Sequence, residues 1–190
     1  MSGKRKQILE VAMQLFAQRG LLNVSTGQIA MAANLSPALL LQEFDGKEDL
    51  LVEILRDLKL ASNSAAHKDL RLDMGLREHL NIMWHHAITW ALSNPQHYQL
   101  LLELSISEEA LTLLGLTHDD FSHLFPKHAL MEAMGHGEIA TLPMTFHQQL
   151  FRTQLDGTVQ FILRTKPDPK QSKVYIEQSF AIYWRGIHNG

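Results

Sequence analysis

The stretch STGQIAMAANLSPALLLQEF, Ser25 to Phe44, constrains this chain more than any other. It holds two helix-start signals close together. Ser25 suits an N-cap, Gln28 three residues on completes a capping box, and Val24 and Ile29 are placed to form a hydrophobic staple. The second start is Ser36, followed by Pro37 at the first helical position, where a missing N–H costs nothing. Asn34 falls between them, at a turn that needs a left-handed backbone; glycine tolerates this best and asparagine next. Two short helices joined this tightly must cross closely. Ala30, Ala32 and Ala33 permit the approach, and Ile29, Leu35 and Leu40 supply apolar pins. The pattern predicts a helix-turn-helix. A helix over Lys4–Arg19 precedes it, with Ile8, Leu9, Ala12, Leu15 and Phe16 on one face and Gly20 as its stop. Asp45-Gly46 ends the pair, and a longer helix is expected over Lys47–Ser62.

Apolar residues recur at helical spacing through the remainder, with no convincing period-two strand. Asn63 to Asp73 reads as a loop or frayed end. Helices are expected over Leu76–Leu92, Gln96–Leu104, Asp119–Met134, Met144–Arg164 and Lys173–Gly186, with Pro167–Pro169 among the separators. The expected fold is all-α. A three-helix head over residues 1–48 is joined by the connecting helix 47–62 to a larger helical-bundle body over 49–190. Hydrophobic residues make up 45% and charged residues 19%, a globular composition. No stretch approaches the eighteen or more apolar residues of a membrane span. Met1 to Lys6 is polar and basic, unlike a secretory leader, and the absence of cysteine fits a reducing compartment, so a cytoplasmic location is expected. The net charge of −3 divides unevenly: residues 1–48 carry five basic and four acidic side chains, and the rest twelve and sixteen. A slightly basic head on an acidic body permits nucleic-acid binding at one end.

Catalysis and metal binding find little support. There is no glycine-rich phosphate loop and no Gly-x-Ser-x-Gly elbow, and the adjacent carboxylates Glu108-Glu109 and Asp119-Asp120 diverge on a helix. Among eleven histidines no His-x-x-x-His pair occurs. His128, Glu132 and His136 are interrupted by Gly135, and His85-His86 point in different directions. No enzyme activity, metal or cofactor is expected.

The run from ILEVAMQLFAQRG through STGQIAMAANLS to EFDGKEDLL resembles the DNA-binding head of the tetracycline-repressor (TetR) family. It does so through Ile8-Leu9, Ala12, Leu15-Phe16, Gly20, Thr26, Ile29-Ala30, Ala33, Ser36, Leu40, Phe44, Lys47-Glu48 and Leu50-Leu51. The body is similar only in its helical texture and the closing Trp184-Arg185-Gly186-Ile187. The resemblance implies a homodimeric repressor that binds double-stranded DNA at a (pseudo)palindromic operator and responds to a small-molecule effector of unknown identity. Thr26, Ser36 and Lys47 match phosphate-contacting positions, and Gln28, Ala38, Leu39 and Gln42 match positions facing base edges. Gln42 suits a bidentate pair with adenine. Lys4, Arg5 and Lys6 would add backbone attraction. The family usually carries aromatic residues where this chain has Leu41 and Glu43, and Glu43 could pair with Lys47. The competing reading is a helical interaction or ligand-binding protein with a vestigial head.

The resemblance also implies that the last two long helices pair with those of a second subunit. Leu150, Phe151, Leu155, Val159 and Ile162 at near-heptad spacing, with Tyr175, Phe180, Ile182, Tyr183 and Trp184 as large anchors, are the expected interface, and Gly157 allows close approach. An effector pocket within the body would draw its lining from Met83, Trp84, His86, Trp90, Tyr98, Phe121, Met131, Met134, His147 and Phe151, adaptable apolar groups with histidines to orient a ligand.

Overall fold

The start and stop signals in the sequence become helix ends in space. The computed structural model describes residues 3–71, 73–106 and 126–189. Its helices are α1 (Gly3–Arg19), α2 (Thr26–Ala32), α3 (Pro37–Glu43), α4 (Lys47–Ala66), α5 (Leu76–Ser93), α6 (Pro95–Ile106), α7 (Lys127–Gly135), α8 (Met144–Thr165) and α9 (Pro169–Ile187), with a 3₁₀ turn at Leu21–Asn23. The described residues are all-α, apart from one isolated bridge between Ile139 and His188. None of these helices is long and apolar enough to cross a membrane.

Two ends differ from expectation by four residues each. Helix α4 continues to Ala66, past Ser62, because Ser62 and Ala66 are both buried and keep the polar last turn helical. Helix α9 begins at Pro169 and not at Lys173. The Asp168 carboxylate caps it by accepting from the Gln171 N–H at 2.8 Å, and Pro169 occupies the first turn, where proline starts a helix instead of separating two. Of the helix expected over Asp119–Met134, the part before Pro126 lies outside the described residues.

The chain divides into two compact units: described residues 3–61 and 94–106 form one, and 62–71, 73–93 and 126–189 the other. In the first, α1 buries Ile8, Leu9, Ala12, Leu15 and Phe16 against Leu21, Val24, Ile29, Ala30, Leu40 and Phe44. The core continues into Leu50, Leu51, Ile54, Leu55 and Leu58 of α4 and Leu100 and Leu104 of α6, which packs on α1. In the second, α5, α8 and α9 pack on one another around Trp84, and α7 packs on α5. Trp84 is wholly buried among Phe151, Phe180 and Tyr183.

Candidate nucleic-acid interface

The pair α2–α3 is set by backbone chemistry. The Ser25 hydroxyl accepts from the Gln28 N–H at 3.3 Å, and the Gln28 side-chain oxygen accepts from the Ser25 N–H at 2.8 Å. Helix α2 closes with Asn34 left-handed at φ 56°. The Leu35 N–H donates to the Ala30 carbonyl at 2.9 Å and the Asn34 N–H to the Met31 carbonyl at 3.1 Å. This is a Schellman closure with asparagine in the place glycine usually takes. From α1, the Gln7 amide donates to the Ala33 carbonyl at 3.0 Å. The Ser36 hydroxyl then caps α3 by accepting from the Leu39 N–H at 3.3 Å.

Helix α3 therefore has two distinct sides. Leu40 is wholly buried, and the capping residue Phe44 follows it into the core. Pro37, Ala38, Leu41 and Gln42 face outward, with Leu41 56% exposed. This outward surface carries no cation and one amide. Beside α2, an open groove of about 710 Å³ is lined by Leu22, Asn23, Val24, Ser25, Thr26, Gln28, Gly46 and Lys47. Thr26, Gln28 and Lys47 thus share one surface, each half-buried, while Lys4 is exposed at the start of α1.

Several expected contacts are already engaged. The Gln28 side chain serves the capping box, and Leu39 is half-buried. Lys47, matched to a phosphate-contacting position, has its Nζ donating to the Leu21 carbonyl at 2.5 Å and lying 5.8 Å from the Phe16 ring centroid. Arg5 turns inward. Its Nε donates to Glu53 Oε2 at 3.2 Å and its Nη2 to Oε1 at 2.7 Å, while Nη1 donates to the Glu43 carbonyl. The guanidinium also sits 4.0 Å from the Phe44 ring centroid. The hydrogen bond from Arg5 holds the Glu53 carboxyl below the usual carboxylate range and raises the Arg5 pKa in return. Sequence reasoning missed Glu53, Gln7 and Glu103, whose carboxylate accepts from the Leu21 N–H at 3.4 Å. Each meets its partner across tens of residues, so no local spacing announces it.

The expected effector-lining residues are only partly brought together. Trp84 and Phe151 meet edge to face at 5.2 Å in the core of the second unit. Met83 is buried, and His147 is buried with its Nε2 2.9 Å from the Ala140 carbonyl. His86 Nε2 lies 3.6 Å from the Asp69 carboxylate. Trp90 and Met134 are half-buried, whereas Met131 is 63% exposed. Tyr98 belongs to the first unit, and Phe121 lies outside the described residues. Burial pushes the Tyr183 hydroxyl pKa upward. Among the described residues no group of three or more His, Asp or Glu is placed to hold a metal ion.

Of the residues expected at a dimer interface, Phe151, Leu155, Val159, Ile162, Phe180, Tyr183 and Trp184 are buried within the chain's own second unit, whereas Leu150, Tyr175 and Ile182 face outward. The outward apolar face of α8 and α9 also includes Phe146 and Phe161 on α8 and Val174 on α9. Phe161 and Tyr175 pair edge to face at 5.2 Å across the two helices. Gly157 and Gly186 lie on exposed turns with open space where a Cβ would project.

Residues 8–54 match the family of bacterial regulatory proteins called the tetR family. That match is confined to the N-terminal head of the chain. Among curated relatives, the HTH-type transcriptional repressor KstR2 of Rhodococcus jostii (strain RHA1) is 44% identical over 55 residues, covering 29% of this chain and 27% of its own length. The HTH-type transcriptional regulator BetI of Brucella anthropi is 38% identical over 55 residues, covering 29% of this chain and 28% of its own. The matched stretch is thus little more than a quarter of either relative. A solved tetR-family structure from Shewanella sp. PV-4 aligns over 98% of this chain and 99% of its own, with a TM-score of 0.85 at 26% identity. A second, from Marinobacter aquaeolei VT8, aligns over 98% and 96% with a TM-score of 0.79 at 23% identity.

Proposed function

We propose that this chain is a DNA-binding transcriptional regulator of the tetR family, a repressor that acts as a homodimer on a (pseudo)palindromic operator. The observation that carries the reading is α3: a capped seven-residue helix, pinned from beneath by Leu40, that offers only its outer side to a duplex. Such a helix enters the major groove with its exposed side chains against base edges. Gln42 supplies an amide for the N6/N7 edge of adenine, and Ala38 and Leu41 supply apolar surface for thymine methyl groups. Lys4, Thr26 and Ser36 meet phosphates. Leu41, which cannot make the hydrogen bond of a tyrosine, thereby takes a different role, as a methyl reader.

The purified chain is expected to retain DNA from its own upstream region over random DNA, with affinity that falls steeply as salt rises. Gln42→Ala should relax preference at one base pair by about 1–3 kcal/mol. Binding-site selection before and after the substitution measures this, and an unchanged preference rejects the adenine role. Retention no better than a random fragment would favour a vestigial head.

The second copy is expected on the outward face of α8 and α9, where Leu150, Phe161, Tyr175 and Ile182 give anchors and the two glycines allow close approach. Ile182→Glu should shift the chain from twice its mass to a single mass in sedimentation equilibrium, with helix content unchanged. A parent chain that sediments alone, or a variant that dimerises as well as the parent, removes this face from consideration. For the effector, the apolar centre around Trp84 and Phe151 supplies surface and the buried His147 an orienting polar group. Effector binding would act through α4, changing the separation of the two heads so that half-sites are no longer spanned together.

A further inference from the structure

The first turn of α1 holds a side chain that joins two other helices. Arg5 is only 24% exposed at its side chain and Glu53 13%. The guanidinium meets the carboxylate fork to fork, a directional pairing that fixes angle as well as distance. Its remaining arm donates to the Glu43 carbonyl in the last turn of α3. Its flat face lies on the Phe44 ring at the cap of α3. One cation thus holds the end of α3 and the side of α4 together. Arg56 also reaches Glu53 Oε1, at 3.3 Å, but it stands on α4 itself and cannot link the two helices.

We infer that Arg5 and Glu53 are positioning residues, which lock the C-terminal end of α3 to α4 so that the outward face of α3 holds one orientation and a displacement of α4 is delivered to it. The inference rests on reading α3 as the helix that meets DNA. It departs from the view of Arg5 as a phosphate contact, and the two views give opposite signs at Glu53. A carboxylate that merely competes with phosphate for Arg5 weakens DNA binding, so removing its charge would tighten it. A carboxylate that completes the lock is needed for binding, so removing its charge loosens it.

The test uses the full chain and a duplex that the parent enriches from a random-sequence pool, titrated by fluorescence anisotropy at several salt concentrations. Arg5→Gln, Arg5→Lys and Glu53→Gln should each lose about tenfold in affinity, and the Arg5→Gln/Glu53→Gln pair no more than the worse single change, because the two act as one unit. The salt slope should stay that of the parent. Arg5→Lys is the sharpest variant, since it keeps the charge and loses the fork. Tighter binding by Glu53→Gln, full affinity in Arg5→Lys, or a salt slope reduced by about one phosphate in Arg5→Gln overturns the inference. If the parent enriches no duplex, the DNA reading fails by itself. The lock is then judged by amide hydrogen exchange, with far-UV helix content as the check on folding. Faster exchange at Leu40 and Phe44 in Arg5→Gln and Glu53→Gln supports it, and parental rates in both overturn it.

Discussion

Replacing Trp84 with alanine is expected to destabilise the second unit by about 3–5 kcal/mol, the range for deleting a large aromatic from a core. Trp84 is wholly buried, and three helices meet on it. Phe151 stands edge-on at 5.2 Å, Tyr183 stacks at 5.5 Å with 21° between planes, and Phe180 tilts against it at 6.0 Å. The indole N–H donates to Ser179 Oγ at 3.2 Å, and the Ser179 hydroxyl donates onward to the Ile176 carbonyl at 2.9 Å. Alanine removes the ring that α5 sends between α8 and α9. The aromatics around it come from two different helices, so they cannot close the space without moving backbone. Trp84→Phe keeps a ring and loses only the hydrogen bond and part of the volume, so it should cost markedly less. Chemical denaturation followed by circular dichroism measures both. A loss below about 1 kcal/mol for Trp84→Ala would mean that the cluster repacks freely and is not what joins these helices.

Leu40→Ala should be the second large effect, and it should appear in DNA binding as much as in stability. Seven residues are too few for α3 to persist alone, since isolated helices shorter than about 12–15 residues are marginal in water. Its order comes from the Ser36 cap and from Leu40, the one residue of α3 that is buried. Truncating that side chain should cost about 2–5 kcal/mol in the head. The apparent affinity for a duplex then falls with the fraction of heads in which α3 remains docked, by an expected tenfold or more. Leu41→Ala, one position along and more than half exposed, is the control: its stability change should stay within about 0.5 kcal/mol. Hydrogen exchange of the α3 amides beside duplex titration separates the two. Equal behaviour of the neighbours would contradict the two-sided account of α3.

What was legible in the sequence is what local chemistry decides. The capping box at Ser25 and Gln28, the left-handed Asn34 and the Ser36-Pro37 start each act within a few residues, and each is found in space. Asp168-Pro169 carries the same kind of signal yet reads as a separator, because proline ends one helix and starts another with equal ease. Pairings across the chain left no such trace. Arg5 meets Glu53 across 48 positions, and Leu100 and Leu104 join a core otherwise built from residues 8–58. Helix α8 was opaque for a different reason: it is apolar on more than one side. Periodicity finds Phe151, Leu155, Val159 and Ile162 as readily as Phe146, Leu150 and Phe161, but does not say which set turns inward. The expected interface therefore mixes residues that the chain keeps for its own interior with Leu150, Tyr175 and Ile182, which face outward.

The two-sidedness of α3 has an evolutionary consequence. Leu40 and Phe44 hold the helix in place, while Ala38, Leu41 and Gln42 face outward. Changes at those outer positions are nearly free of folding cost, so selection acting on one regulated gene can alter them without endangering the head. Paralogues that arise from a chain of this kind can diverge in target while sharing a scaffold, and the same three positions form the natural library for redirecting it by design.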